Sequence, residues 1–154
     1  MNGKRLLAAV VAVFIGIWIT DFLIHAVWLA GTYRETASLW RTEAEMQTYF
    51  PILLLGQFVT ALTFVGLWAK GFAAMRCWGA ACLYGFLMGL FREGTTLIMY
   101  AVQPLPPKIA MGWFASGVIQ GILMGLLVCL VYKPRPDPDP AAAAAEDRPA
   151  RRAA

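Results

Sequence analysis

Metal-binding and redox side chains are scarce in this 154-residue chain, which has one histidine, His25, and three cysteines, Cys77, Cys82 and Cys129. The cysteines form no C-x-x-C or Cys/His pattern, which argues against a zinc site, and their odd number argues against a disulfide framework. Buried thiols acting as small hydrophobes account for them. A single histidine cannot hold a b-type haem from both sides, so bis-histidine ligation needs a dimer or another ligand. His25 reads more simply as a hydrogen-bonding core residue. Charge is scarce too, at 14% of residues, and the net +4 is scattered over helix ends, which is no nucleic-acid signature. No phosphate-binding loop, dinucleotide fingerprint or nucleophile–base constellation occurs. These absences predict a non-enzymatic protein with no metal, no cofactor and no nucleic-acid partner.

What the chain has in excess is apolar residues, 60% of the total, with a mean hydropathy of +0.62. Apolar runs cover roughly 6–30, 50–69, 77–101 and 109–132, and about 20 apolar residues suffice to cross a bilayer. They predict an all-α integral membrane domain over 1–132, an up-down-up-down four-helix bundle with lipid as its first partner. The amino terminus, M-N-G-K-R before an apolar run, resembles a secretory signal, but the run is too long and no small-x-small cleavage site follows. It predicts an uncleaved first span. Pro51 suits the first turn of the second helix, and Lys70 and Gly71 suit its end. The prolines of Gln103-Pro104-Leu105-Pro106-Pro107 forbid helix continuation between the last two spans.

Lys and Arg number nine on the side of the two termini and the 70–76 turn, against three on the other side, Arg34, Arg41 and Lys108. The positive-inside rule then makes both termini cytoplasmic, in a multi-pass inner-membrane protein. From Lys133 to Ala154 the chain is Pro- and Ala-rich and low in complexity, which predicts a disordered cytoplasmic tail. The long outer connection, 31–49, contains T-Y-R-E and T-E-A-E, each fitting a capping box. Leu39, Trp40 and Met46 suit either a short helix lying on the membrane or an ordinary solvated loop.

Polar residues interrupt the apolar runs at matched heights. Asp21 lies about 22 Å beyond Leu6 at 1.5 Å per residue. Arg92 and Glu93 lie at the same distance along a helix running the same way from Cys77. Gln57 is about 10 Å below Phe50 on a descending helix, within a hydrocarbon core about 30 Å thick. Ser116 and Gln120 fall at that height or one turn deeper. One interhelical network around Asp21, His25, Gln57, Arg92, Glu93 and Gln120 explains the match. Arg92 and Glu93 are neighbours about 100° apart on a helix, so Arg92 is expected to pair with Asp21 across helices. Glu93 is left to His25, to Gln120 or to a protonated state. Such a layer is either structural glue or a proton or ion site.

Small residues recur every four positions at Gly117, Gly121 and Gly125, at Ala81, Gly85 and Gly89, and at Ala8, Ala12, Gly16 and Thr20. They let helix backbones approach closely, within one chain or between copies. Asp21 with Gln57, and Glu93 with Gln120, also give the two halves a faint common pattern, as a duplicated hairpin would.

D-F-L-I-H-A at 21–26, Y-R-E-T-A-S-L-W-R at 33–41 and E-M at 45–46 resemble the opening of small four-helix bacterial inner-membrane proteins, a likeness that carries no activity with it. The helix count is similar to that of the small multidrug resistance transporters, which use a membrane-embedded acid in the first helix. Here the acid lies nearer the outer edge, with an arginine at its height and a long outer loop. The leading expectation is an assembly or accessory component, as a homo-oligomer or within a larger membrane complex. The alternative is a small proton-coupled transporter or channel using Asp21, His25 and Glu93.

Overall fold

The computed structural model describes residues 2–75 and 78–132, and these are helical almost throughout. The predicted disordered tail, 133–154, and the residues Arg76 and Cys77 lie outside the described residues. Helix α1 runs Gly3–Asp21 and continues as a π-helical segment, Phe22–Trp28. A short α2, Ala30–Glu35, and a 3-10 turn, Ala37–Leu39, follow. Helix α3 spans Glu43–Leu67 and passes into π-helical Trp68–Phe72 and a 3-10 turn, Ala73–Met75. Helices α4, Trp78–Val102, and α5, Pro107–Val131, complete the chain.

Among the described residues, three stretches are long and apolar enough to cross a membrane: Gly3–Trp28, Glu43–Met75 and Pro107–Val131. Helix α4 matches α5 in length, but Arg92 and Glu93 in its middle lower its hydropathy and leave it outside those three.

Local sequence explains most boundaries. Thr42 caps α3: its backbone N–H donates to Glu45 Oε2 at 2.9 Å, and Glu45 N–H donates back to Thr42 Oγ1 at 3.4 Å. That reciprocal box satisfies two of the donors a helix start leaves open. It starts α3 at Glu43, seven residues ahead of the start at 50 given by hydropathy alone. Pro51 is therefore inside the helix, correcting its expected first-turn place. The other capping-box candidate fails. Thr32 lies within α2, and its Oγ1 has no hydrogen-bond partner among the described residues. Lys70 and Gly71 do not end α3, because a π-helical turn carries the helix through them. The proline-rich break behaves as read, with α4 closing at Val102 and α5 opening at Pro107.

Packing is uneven. Helix α5 lies along α4, and α1 packs on both α3 and α5, giving the order α3–α1–α5–α4. The tight α4–α5 contact rests on glycine. A Cβ on Gly89 would sit 2.9 Å from Val118 Cα, and one on Gly121 would sit 2.9 Å from Gly89 Cα. A Cβ on Gly85 or Gly125 would fall on the carbonyl oxygen of Gly121 or Ala81, so no larger residue fits there. Gly85, Gly89, Gly117, Gly121 and Gly125 thus form a seam within one chain. Gly16 on α1 instead takes the side chains of Met124 and Leu127.

Helices α3 and α4 meet at one end only. There the Tyr84 hydroxyl donates to the Phe64 carbonyl, and Trp68, Phe72 and Tyr84 pack ring to ring at 4.8–6.1 Å. The main apolar core lies at this end, around Val13, Val65, Ala81, Val128 and Tyr132. Towards the other end α3 and α4 diverge, and the polar side chains of all four long helices enter the space between.

Candidate functional site

The network starts from Asp21, the last α-helical residue of α1. Its Oδ2 accepts from Gln57 Nε2 on α3 at 2.7 Å, and its Oδ1 accepts from Gln120 Nε2 on α5 at 2.7 Å. Gln120 Nε2 also donates to Thr20 Oγ1 at 2.6 Å. The other end of the same amide, Oε1, accepts from an Arg92 guanidinium N–H on α4 at 2.5 Å. Five side chains therefore bind the four long helices at one height, as the counting along each run required.

The pairing within the layer differs from the one expected. Among the described residues no ion pair joins Arg92 to Asp21. Arg92 Nε lies 3.4 Å from Glu93 Oε1, its own neighbour in sequence. The 100° between adjacent helix positions separates Cβ directions, but an arginine side chain is long enough to fold back across them. Gln120 takes the place between Asp21 and Arg92 and satisfies both. Glu93 bonds neither His25 nor Gln120; its Oε2 accepts from Thr96 Oγ1, one turn on, at 2.6 Å. The Glu93 carboxylate also lies against the backbone of Gly117, where any side chain would collide with it. Gly117 thus accommodates the buried acid as well as the helix contact.

His25 belongs to a second cluster. Its Nδ1 is 2.6 Å from the Tyr33 hydroxyl on α2, and that hydroxyl accepts from Trp113 Nε1 on α5 at 2.6 Å. The indole N–H can only donate, so the hydroxyl hydrogen is available to His25 Nδ1. Trp40 closes the group, 5.2 Å from the Tyr33 ring and 6.0 Å from that of Trp113. Burial raises the Tyr33 hydroxyl pKa above its usual 10.0; the Trp113 bond opposes the rise and the Asp21 charge adds to it. This cluster pins the connection 31–49, which is made of α2, a 3-10 turn and the start of α3. Leu39 is in the 3-10 turn, Trp40 follows it, and Met46 belongs to α3.

Asp21 and His25 do not bond each other, but both line a cavity of about 230 Å³ with Arg92, Glu93, Ser116 and Gln120. The six residues expected to share a layer fall into a bonded set and this common space. Thr20, which the sequence places only in the small-residue repeat of α1, and Thr96 join the polar layer unexpectedly, although each is readable. Thr20 adjoins Asp21, and Thr96 follows Glu93 by three positions on the same helix face. Tyr33 and Trp113 are 80 residues apart and carry no local signal.

Comparison of the chain with protein-family models, curated proteins and solved structures finds no match.

Proposed function

We propose that the chain is a multi-pass integral membrane protein of four antiparallel spans, with both termini cytoplasmic. It works without catalysis, as an assembly or accessory component of the bacterial inner membrane. Its outward faces support the membrane assignment. Phe91 is 80% exposed, Val102 72% and Leu7 66%, and such side chains suit lipid rather than water. The accessory role rests on one observation. Both Asp21 oxygens are occupied by amides from other helices, and the Gln120 amide is shared onward with Arg92. A carboxylate so bound acts as interhelical glue, holding the helices at one register.

A second reading has its own observation. Asp21, His25 and Glu93 face one cavity large enough for several waters, which is the arrangement a proton pathway needs. Reconstituted vesicles under a pH gradient separate the two. The structural role predicts no proton flux and reduced stability in Asp21→Asn. Flux in the wild type that Asp21→Asn or Glu93→Gln abolishes, with helicity and unfolding unchanged, reverses the assignment. Extraction of membranes at alkaline pH tests insertion separately, since an integral protein stays with the lipid.

A further inference from the structure

We infer that the cleft between α3 and α4 is a binding site for an anionic phospholipid with a hydroxylated headgroup, phosphatidylglycerol in chemistry. The inference rests on the membrane assignment and is independent of whether the polar layer is glue or a proton path.

The cleft has two continuous parts. The outer part, about 470 Å³, is lined by Arg41, Tyr49, Gln57 and Arg92. The inner part, about 550 Å³, is mostly apolar, with Val59, Phe64, Phe91, Ile98 and Met124 among its walls. Ile17, Thr60 and Arg92 border both. Their volumes fall within the roughly 300–1,000 Å³ of small-molecule sites. A mouth that carries two arginines among apolar Met46, Ile52 and Leu53, over an apolar slot, matches an amphiphile entering head outward.

Charge selects the headgroup. Asp21 is already held by two amides, and Glu93 is buried at 5% side-chain exposure against Gly117. Arg92 keeps 45% of its side chain exposed, and Gln120 and Glu93 engage only two of its nitrogens. The guanidinium has five N–H donors, so donors remain to face the cleft. Arg41 stands at the mouth, its Cζ 3.8 Å from the centroid of Tyr49. Asp21 also lines the mouth and keeps its charge, but Arg41 and Arg92 outnumber it, so the lining is net cationic. Arg92 sits about 9 Å below the outer edge of the hydrocarbon, counting 14 residues from Trp78. An anion reaching that depth needs its own apolar chain. A phosphodiester on acyl chains has one, and paired arginines suit its oxygens.

The hydroxyl follows from Gln57. Its Nε2 is committed to Asp21, while its buried Oε1 has no partner among the described residues. The atom is closed to solvent, but the residue lines the mouth, so a donor carried next to the phosphate reaches it once the amide turns toward the cleft. A choline headgroup carries no N–H or O–H donor; a glycerol headgroup does.

The test is native mass spectrometry of the full-length protein in detergent, titrated with dioleoyl phosphatidylglycerol or dioleoyl phosphatidylcholine. Phosphatidylglycerol should bind at least tenfold more tightly, and Arg41→Gln or Arg92→Gln should each weaken it about tenfold, as loss of a charge-assisted hydrogen bond does. Arg92 also belongs to the polar layer, so Thr63→Trp serves as a second probe. It fills the apolar slot from an exposed position outside the layer and should reduce binding of both lipids. Glycerol phosphate at millimolar concentration should not compete. Equal binding of the two lipids by folded wild type, selectivity that survives both arginine changes, or full competition by glycerol phosphate would each overturn the inference. A photo-crosslinker at Thr63 that captures a polypeptide in place of lipid would also do so. Failure of the membrane assignment shows itself differently, as protein released by alkaline extraction.

Discussion

Replacing Gln120 by leucine is the sharpest test of the polar layer. The Gln120 side chain makes three hydrogen bonds, to Thr20, Asp21 and Arg92, at 2.5–2.7 Å. Interhelical hydrogen bonds within membranes contribute about 0.6 kcal/mol on average and up to roughly 1.7. Three of them amount to about 2–5 kcal/mol. Gln57 makes one such bond, to Asp21, and its Oε1 makes none, so Gln57→Leu should lose roughly 0.6–1.7 kcal/mol by the same scale. Gln120→Leu should therefore be the more destabilising of the two by a factor of about three. The two leucine changes are close in volume and polarity, so side-chain transfer cancels in the comparison. Reversible unfolding in bicelles, followed by helicity, measures both. A double-mutant cycle with Asp21→Asn adds the partner, and a bond to the carboxylate should appear as a coupling of about 1 kcal/mol. Equal losses for the two glutamines, or strict additivity with Asp21→Asn, would refute the bonding pattern and leave the layer a coincidence of heights.

The glycines divide into two classes with opposite signs. Gly85→Ala and Gly121→Ala drive a methyl into facing backbone and should lose about 1–3 kcal/mol in thermal or denaturant unfolding. Gly94→Ala, with nothing within 4 Å, should gain up to about 1 kcal/mol from helix propensity. Thr42→Ala breaks the capping box and should remove about 1 kcal/mol, read as faster amide exchange in the first turn of α3 with its later turns unaffected. Tyr33→Phe leaves the Trp113 N–H and His25 Nδ1 without their partner. It should destabilise the chain by about 1–3 kcal/mol and lower exchange protection across 30–40.

Much of this was legible from residue types and spacing. The prolines after Gln103 break the chain where they must, because a proline lacks the donor that a helix interior requires. The heights of Asp21, Gln57, Arg92 and Gln120 followed from counting, since an α-helix rises by a fixed increment per residue. The four-residue glycine spacing marked which faces of α4 and α5 approach. The capping box at Thr42 is also readable, and it marks the start of α3 better than hydropathy does, because it satisfies the donors of the first turn. Pro51 misled because a proline in the helix interior looks, in sequence, like one in a first turn.

Axial position is a property of one helix; azimuth and partner belong to several at once. Sequence alone therefore determined the four long apolar runs, the proline break between α4 and α5 and the common height of the polar side chains. Only the tertiary structure decided that Gln120 stands between Asp21 and Arg92, that His25 turns to Tyr33 and Trp113, and that α3 and α4 part to leave a cleft. Each of those depends on how far neighbouring helices are rotated and separated. That is set by contacts between residues tens of positions apart, such as Gly85 against Gly121 and Tyr84 against Phe64, and no local spacing encodes them.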